Sequence, residues 1–548
     1  MLPARRLFAA AIAALLLAPA AASAKPAPLP RYEVGIGVRS INPGPDGTFH
    51  GGKVYLGGFG ITGGQPQPVP DIGRAATGYL GDGLSVRAIS IGDGKGANFA
   101  IADIEVQGWF AATRDGKLGL IDMRRAVQER TKGALKATHV VIQSDHTHGG
   151  PDMMGVWGGV PYAYREFVFN QTVDAIVEAF ETRRKGHLFY GTADGRDLLN
   201  NQFEYDHANN DAMDSDVRVL QARGRHGKPF ATLLNFSAHS TVVGSGNTLA
   251  TGDWAQAANP QLERRFGGKA ITILGTLGRT QPRRDAPCGD DSKAEGALCK
   301  INSYAEKVVD RAAVALDNAR PLTGDAVVKA SSFLITDPTS SPVLLGLALA
   351  GSPIGAPLNR SLTPPWMTGN VMGTITASAR IGDVLLSSGP GEMYPQIPLK
   401  VRELLPEARG YMTAGLANDQ LGYLIAPYEA YPEPIKTTFF DSSFANGDSI
   451  NACVASMGAN CDPATVTPTP DPLGNDNYAF NVSHTIGERV TCSLLRGAGE
   501  LFGVADAASR YDRCATFAND AALPAGSDVT AAEAADALPP LPAVPPVR

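Results

Sequence analysis

The chain has 548 residues, a formal net charge of −6, 44% hydrophobic residues and 19% charged residues. That balance describes a globular chain, not a disordered one, and a mildly acidic protein without basic runs is a poor nucleic-acid binder. The length exceeds what one small core needs, so one large domain with an appendage, or two domains, is expected.

In chain order, the first 24 residues read as a secretory signal peptide. Arg5 and Arg6 are followed by the apolar stretch Leu7 to Leu17 and by Ala22-Ser23-Ala24, a small-x-small cleavage site. A secreted or periplasmic location follows, with cleavage expected after Ala24. Loss of Arg5 and Arg6 would leave the mature chain near −8. The best later apolar run, Val343 to Ala350, is short and bounded by Pro342, Gly351 and Pro353, so it is not a transmembrane helix. The apolar segment 342–355 reads as core, or as cover for an acyl pocket.

From Tyr32 onward the chain looks ordered, and short β-branched runs repeatedly lead into polar or glycine-rich loops. Val140 to Ile142 leads into "QSDHTHGGPD". Ala231 to Phe236 leads into "SAHSTVVGSG", and Ile271 to Leu274 into "GTLGRTQP". Ile381 to Leu386 leads into "SSGPGEMY", and Tyr411 to Leu416 into "ANDQLGYL". Between them, Val173, Ile176, Val177 and Phe180 mark a helix face. Ser303-Tyr304-Ala305-Glu306 has the form of a capping box opening another helix. Strands alternating with helices predict a mixed α/β (α+β) fold, a layered β-sheet domain with flanking helices. After about residue 440 the sequence becomes turn-rich and cysteine-bearing, which predicts a C-terminal extension over 441–520. An Ala/Pro-rich tail is expected over 521–548. The six cysteines suit disulfides in an exported protein and are expected to pair with nearest neighbours: 288–299, 453–461 and 492–514.

The strand ends carry the chemistry. His146 and His148, two residues apart after a strand, would face one pocket if the segment were extended. His239, Glu392, Tyr428 and Tyr431 also follow strands, where ligands of layered α/β proteins gather. Two histidines, a carboxylate and a phenolate would suit zinc, with a position left open for water. A hydrogen-bonded polar turn is the alternative for each residue alone.

Taken together, "VGIGVRSINPGP", "GGFG", "SDHTHGGPD", "NFSAHSTVVG" before "TGDWAQAANPQLE", "GTLGRTQP", "GPGE" and "GLANDQLGYLIAPYEAY" resemble the neutral/alkaline (non-lysosomal) ceramidase family, in the family's order, over roughly residues 33–435. The resemblance implies a zinc hydrolase domain over 25–440 that cleaves the amide of an N-acyl sphingoid lipid into fatty acid and amine. It implies His146, His239 and Glu392 as zinc ligands with Tyr431 as the fourth, Tyr428 remaining open because the spacing there is one residue long. It implies His148 as the active-site histidine. The partner is a lipid or amphiphilic amide substrate, with possible peripheral membrane contact.

The chain departs from the family at one motif. Members carry G-D-x-S-P, whose serine has been assigned as nucleophile or active-site hydroxyl, where this chain has Gly278-Arg279-Thr280-Gln281-Pro282. Glutamine cannot form an acyl-enzyme, so water on zinc is the expected nucleophile, its pKa lowered from 15.7 to roughly 7. Arg279 or Gln281 would then hydrogen-bond the developing oxyanion. The alternatives are a related metal-dependent amidase or esterase for another substrate, and a non-catalytic homologue that lost the serine.

Overall fold

The structure, a computed structural model, describes residues 28–59, 73–113, 117–201, 212–338, 371–426, 481–483 and 485–518. The signal segment, the run 342–355, Tyr428, Tyr431, Cys453, Cys461 and the tail 521–548 lie outside the described residues.

Two sheets stacked face to face form the centre. The first contains β1 (Tyr32–Ser40), β2 (Ser85–Gly92), β3 (Asn98–Ile104), β4 (Val140–Ser144), β5 (Arg184–Asp194), β6 (Asp216–Arg223), β7 (Pro229–Phe236) and β8 (Lys269–Leu274). Their order is β8-β7-β6-β5-β1-β2-β3-β4, and the two-residue strand Arg320–Pro321 adds to β5. Pairing is antiparallel except at β7/β8 and β3/β4, which are parallel. The second sheet has the order β9 (Val328–Pro338), β10 (Val371–Ile381), β11 (Val384–Ser388), β12 (Gly410–Ala414), with β11/β12 parallel.

Helices cover both outer faces. On the first sheet lie α1 (Leu120–Arg130), α2 (Tyr162–Glu181), α3 (Asp253–Phe266) and α4 (Ala294–Asp317). Over the second lie α5 (Gln396–Leu404) and α6 (Ile486–Phe502), burying Val401, Val490 and Leu494 with Leu385 and Tyr411. Between the sheets, Ile36, Ile89, Leu233 and Ile271 meet Ala377, Ile381, Leu386 and Met412. The layered α/β architecture expected from the sequence is therefore observed, as helix–sheet–sheet–helix. Burial on both faces explains why β3, NFAIADI, is buried at every position instead of alternating. Gly35 and Gly37 let α2 approach β1. A Cβ at these positions would stand 2.3 Å from Ala179 O and 2.0 Å from Ala175 O, respectively.

One topological feature positions the site. In the first sheet β4 and β7 are six strand intervals apart, about 29 Å if the sheet were flat. Instead the sheet curls until its edges meet. The Gln143 side chain at the end of β4 donates to Leu274 O of β8 at 2.5 Å and to Gly415 O at 2.7 Å, and accepts from Leu274 N at 3.0 Å. The loops after β4, β7 and β11 are thereby brought to one place.

Three local expectations are corrected. Ser303 does not cap a helix, because α4 already starts at Ala294 and the apolar stripe Ala297, Ile301, Tyr304, Ala305, Val308 runs through it. The run 381–386 is not one strand: Gly382, at φ +61°, and Asp383 turn the chain between β10 and β11. The third concerns His146 and is described below. The described part of the expected C-terminal extension, 481–518, is built into the outer helical layer. Asp337 of β9 accepts from Ser483 and from Thr485 Oγ1 (2.9 Å) and pairs with Arg489. The disulfides Cys288–Cys299 and Cys492–Cys514 form as expected. Among the described residues no helix is long and apolar enough to cross a membrane.

Candidate metal and active site

The rings of His146, His148 and His239 form a nearly equilateral triangle, with centroids 5.0, 4.9 and 4.9 Å apart. Each offers a nitrogen within 4.8 Å of the others', an arrangement able to hold a metal ion. Glu392 closes the group: its Oε1 lies 3.2 Å from His146 Nε2 and its Oε2 4.0 Å from His239 Nε2. Four residues expected at the site from the sequence therefore converge.

His146 follows β4 directly, but not in extended form. Its φ is +55°, in the left-handed region that few non-glycine residues adopt. Strand alternation is thus not what brings His146 and His148 together; a left-handed turn does. The turn aims His146 Nδ1 at Gln107 O, 2.7 Å away. Donation there fixes the tautomer and leaves Nε2 as the lone pair facing Glu392. His239 is oriented in the same way by Leu277 O, 3.3 Å from Nδ1. Its backbone N–H donates to Thr280 O at 3.2 Å. The following loop is held by buried Asp253 at the start of α3, which accepts from Val242 N at 3.0 Å and Val243 N at 2.9 Å.

His148 is the histidine partly open to solvent. Its backbone N–H donates to Ser240 O at 3.1 Å, its carbonyl accepts from Arg74, and Phe59 packs edge-on at 4.8 Å. Its Nδ1 is buried without a hydrogen-bond partner among the described residues.

Electrostatics favour a cation. Burial, reinforced by the neighbouring histidines, holds His148 well below the ordinary imidazole range and His239 down to about 4. Both are neutral, as metal ligands must be. Burial opposes charge on His146 and Glu392, but their mutual attraction outweighs it. The His146 pKa is raised and that of Glu392 lowered. Glu392 Oε2 is buried and has no hydrogen-bond partner among the described residues. A divalent ion among neutral imidazoles and an orphaned carboxylate oxygen satisfies all of these groups, so the donor set fits zinc.

Sequence reasoning missed Tyr423, whose hydroxyl hydrogen-bonds the Glu392 carboxylate and helps hold its pKa down. The short strands Glu392–Met393 and Tyr423–Leu424 pair in parallel, with Glu392 opposite Tyr423. The signal was a tyrosine within the quoted "GLANDQLGY". Gln107 and Leu277 act through backbone carbonyls, for which a sequence carries no mark.

Of the two residues replacing the family's motif, Arg279 immediately precedes, and Gln281 lies within, the short strand Thr280–Pro282, which pairs antiparallel with Leu199–Asn201. Arg279 is fully buried, with its guanidinium 5.6 Å from the Tyr394 ring centre and its Nε 3.4 Å from Asn201 Oδ1. Gln281 Oε1 accepts from Thr241 Oγ1 at 2.6 Å, two residues beyond His239. The neighbouring Thr280 hydroxyl is engaged, donating to Thr276 O at 2.7 Å.

Among solved structures the chain is similar to the neutral ceramidase from Pseudomonas aeruginosa, with a TM-score of 0.61 and 16% identity over 86% of this chain and 75% of that one. It is also similar to a ceramidase complexed with C2, with a TM-score of 0.57 and 16% identity over 81% of this chain and 78% of that one. No protein-family model and no curated protein matches the sequence. The chain therefore has the neutral ceramidase fold, as the sequence resemblance implied.

Proposed function

We propose that the protein is an exported zinc-dependent amidohydrolase that cleaves an N-acyl sphingoid lipid, or a closely related amphiphilic amide, into fatty acid and amine. The observation that carries this reading is the convergence of His146, His148, His239 and Glu392 at one buried point of a neutral ceramidase fold. In this reading His146 Nε2, His239 Nε2 and the Glu392 carboxylate hold the ion, with Tyr431 as fourth ligand and Tyr428 as the alternative.

Bound zinc would polarise the scissile carbonyl and lower the pKa of an attacking water. The remaining work belongs to the chain. His148, neutral and nearest to solvent, takes a proton from the water and returns it to the leaving amine. Gln107 O and Leu277 O keep two imidazoles in the ligating tautomer. Arg279 and Gln281 act from the adjoining segment, Gln281 by keeping the His239 loop in place through Thr241 and Arg279 by countering negative charge as the carbonyl is attacked.

The 3.1 Å separation of the His148 and His239 Nε2 atoms supports a second reading, in which His148 is itself a ligand. A different acyl substrate remains the runner-up, because Arg279 and Gln281 change the motif that carries the family's serine. The test is a panel of ceramide, soluble N-acyl amines and acyl esters with purified protein. Release of fatty acid from ceramide at the highest kcat/KM supports the proposal. Preference for the esters or the headgroup-free amides selects the runner-up, and no turnover on any of them favours a non-catalytic protein.

A further inference from the structure

A second polar cleft lies away from the histidines. It has a volume of about 250 Å³ and opens where the middle of β5, the start of β6, the end of α4 and the start of β12 meet. Gly410 at its wall and Leu416 beside the metal site are six residues apart, so the two places are separated by up to about 20 Å of chain. Leu416 O accepts from Ser144 N, which marks that far end as part of the site already described.

Three arginines, Arg320, Arg402 and Arg409, line this cleft with Asp216. Arg402 Nη1 donates to Asp216 Oδ2 at 2.8 Å, and that carboxylate also meets buried Arg218 at 3.3 Å. Arg320 Nη1 donates to Asp383 Oδ2 at 2.8 Å, but its Nη2 is buried without a hydrogen-bond partner among the described residues. No carboxylate among the described residues pairs with the Arg409 guanidinium, although its backbone N–H donates to Asp383 O at 2.9 Å. Arg218 is neutralised by Asp214. Three guanidiniums thus share two carboxylates, which leaves net positive charge at one concavity.

The cleft is also firmly built. Tyr190 O–H donates to Tyr411 O at 2.9 Å and accepts from Tyr411 N at 3.0 Å, which fixes β5 against β12. Arg320 is laid over the Tyr190 ring, 5.7 Å from its centre. Its volume far exceeds the roughly 10–15 Å³ that one water needs. Guanidinium forks match the oxygens of a phosphate, and polar walls do not suit an acyl chain.

We propose that this cleft binds the phosphate group of a small soluble phosphate ester, held by Arg320 and Arg409 with Arg402 at the rim. This site is independent of the amidase reading. The experiment is calorimetric titration of the full mature chain with inorganic phosphate at constant ionic strength, comparing wild type with Arg409→Ala, Arg402→Ala and Arg225→Ala. Arg225 is exposed and outside the cleft, and serves as the control. Arg409 makes no side-chain ion pair among the described residues, so its replacement should leave the fold intact. Saturable binding by wild type and by Arg225→Ala, weakened about tenfold or more in Arg409→Ala, is the expected result. Absence of binding to wild type at millimolar phosphate, or equal affinity in Arg409→Ala and wild type, would overturn the assignment and leave only surface ion pairs.

Discussion

His148 Nε2 and His239 Nε2 stand 3.1 Å apart in a site where both imidazoles are driven to neutrality. The His239 Nδ1–H is directed at Leu277 O, so its Nε2 presents a lone pair. Such a lone pair beside a second imidazole needs a proton or a metal ion. This contact separates the two readings of the site: His148 either stands beside the ion as the proton carrier or shares the ion with His239 as a ligand.

Replacing His148 by Ala distinguishes them. If His148 moves a proton, the variant keeps stoichiometric zinc and loses about 10²–10⁴ in kcat. Zinc content by mass spectrometry and steady-state kinetics on the same preparation decide the matter. Loss of the metal with the histidine would make it a ligand.

Tyr423→Phe removes one hydroxyl from Glu392 without removing the ligand. A group that orients a ligating carboxylate is worth about 10–100-fold in metal affinity or activity. The expected outcome is weaker zinc binding in a competition titration with a chelator, with an unchanged circular dichroism spectrum. Wild-type affinity would detach Tyr423 from the site.

Gln281→Ala breaks the bond from Thr241. One neutral hydrogen bond contributes about 0.5–1.5 kcal/mol, so kcat/KM should fall by up to about tenfold with the zinc retained. Thr241→Val should match it, and the double variant should be no worse than either. Full additivity in that cycle would show that the two side chains act separately.

Asp419 lies in the core, accepting from Ala111 N at 2.9 Å, Gln420 N at 2.9 Å and Thr374 Oγ1 at 2.8 Å. Burial nonetheless pushes its pKa up to about 6 from 3.8. A raised folded-state pKa means stability that is fully present below pH 3.8 and is lost as pH rises through 6, a loss of roughly 3 kcal/mol. Asp419→Asn should remove this component, so the difference in chemical-denaturation stability between variant and wild type should grow from pH 4 to pH 7. A difference independent of pH would contradict the assignment.

The sequence allowed the strand-end logic to be read, but not the path that joins the ends. Runs such as Val140–Ile142 and Ala231–Phe236 were recognisable because β-branched and apolar residues repeat before polar loops. The pairs Cys288–Cys299 and Cys492–Cys514 were recognisable because they are local. The meeting of β4 with β7 depends on the curl of the whole sheet and on Gln143, whose partners are 131 and 272 residues away. His146 taught a different lesson. Its spacing from His148 signals a shared pocket, but the i, i+2 alternation behind that signal belongs to an extended backbone, and the chain makes a left-handed turn there. Ser303 matched a capping pattern, yet the helix started nine residues earlier, because the apolar stripe of α4 outweighs a local start signal. Nothing in the sequence sets Tyr423 apart from Tyr428 and Tyr431, since only pairing between two short strands places it opposite Glu392.

The most direct test of the central claim is fatty-acid release from ceramide by the mature protein, before chelation, after complete removal of metal, and after addition of one equivalent of zinc. The account predicts turnover that vanishes with the metal, returns with zinc, and is absent in His146→Ala under all three conditions. Undiminished turnover by protein shown to be free of metal would contradict it.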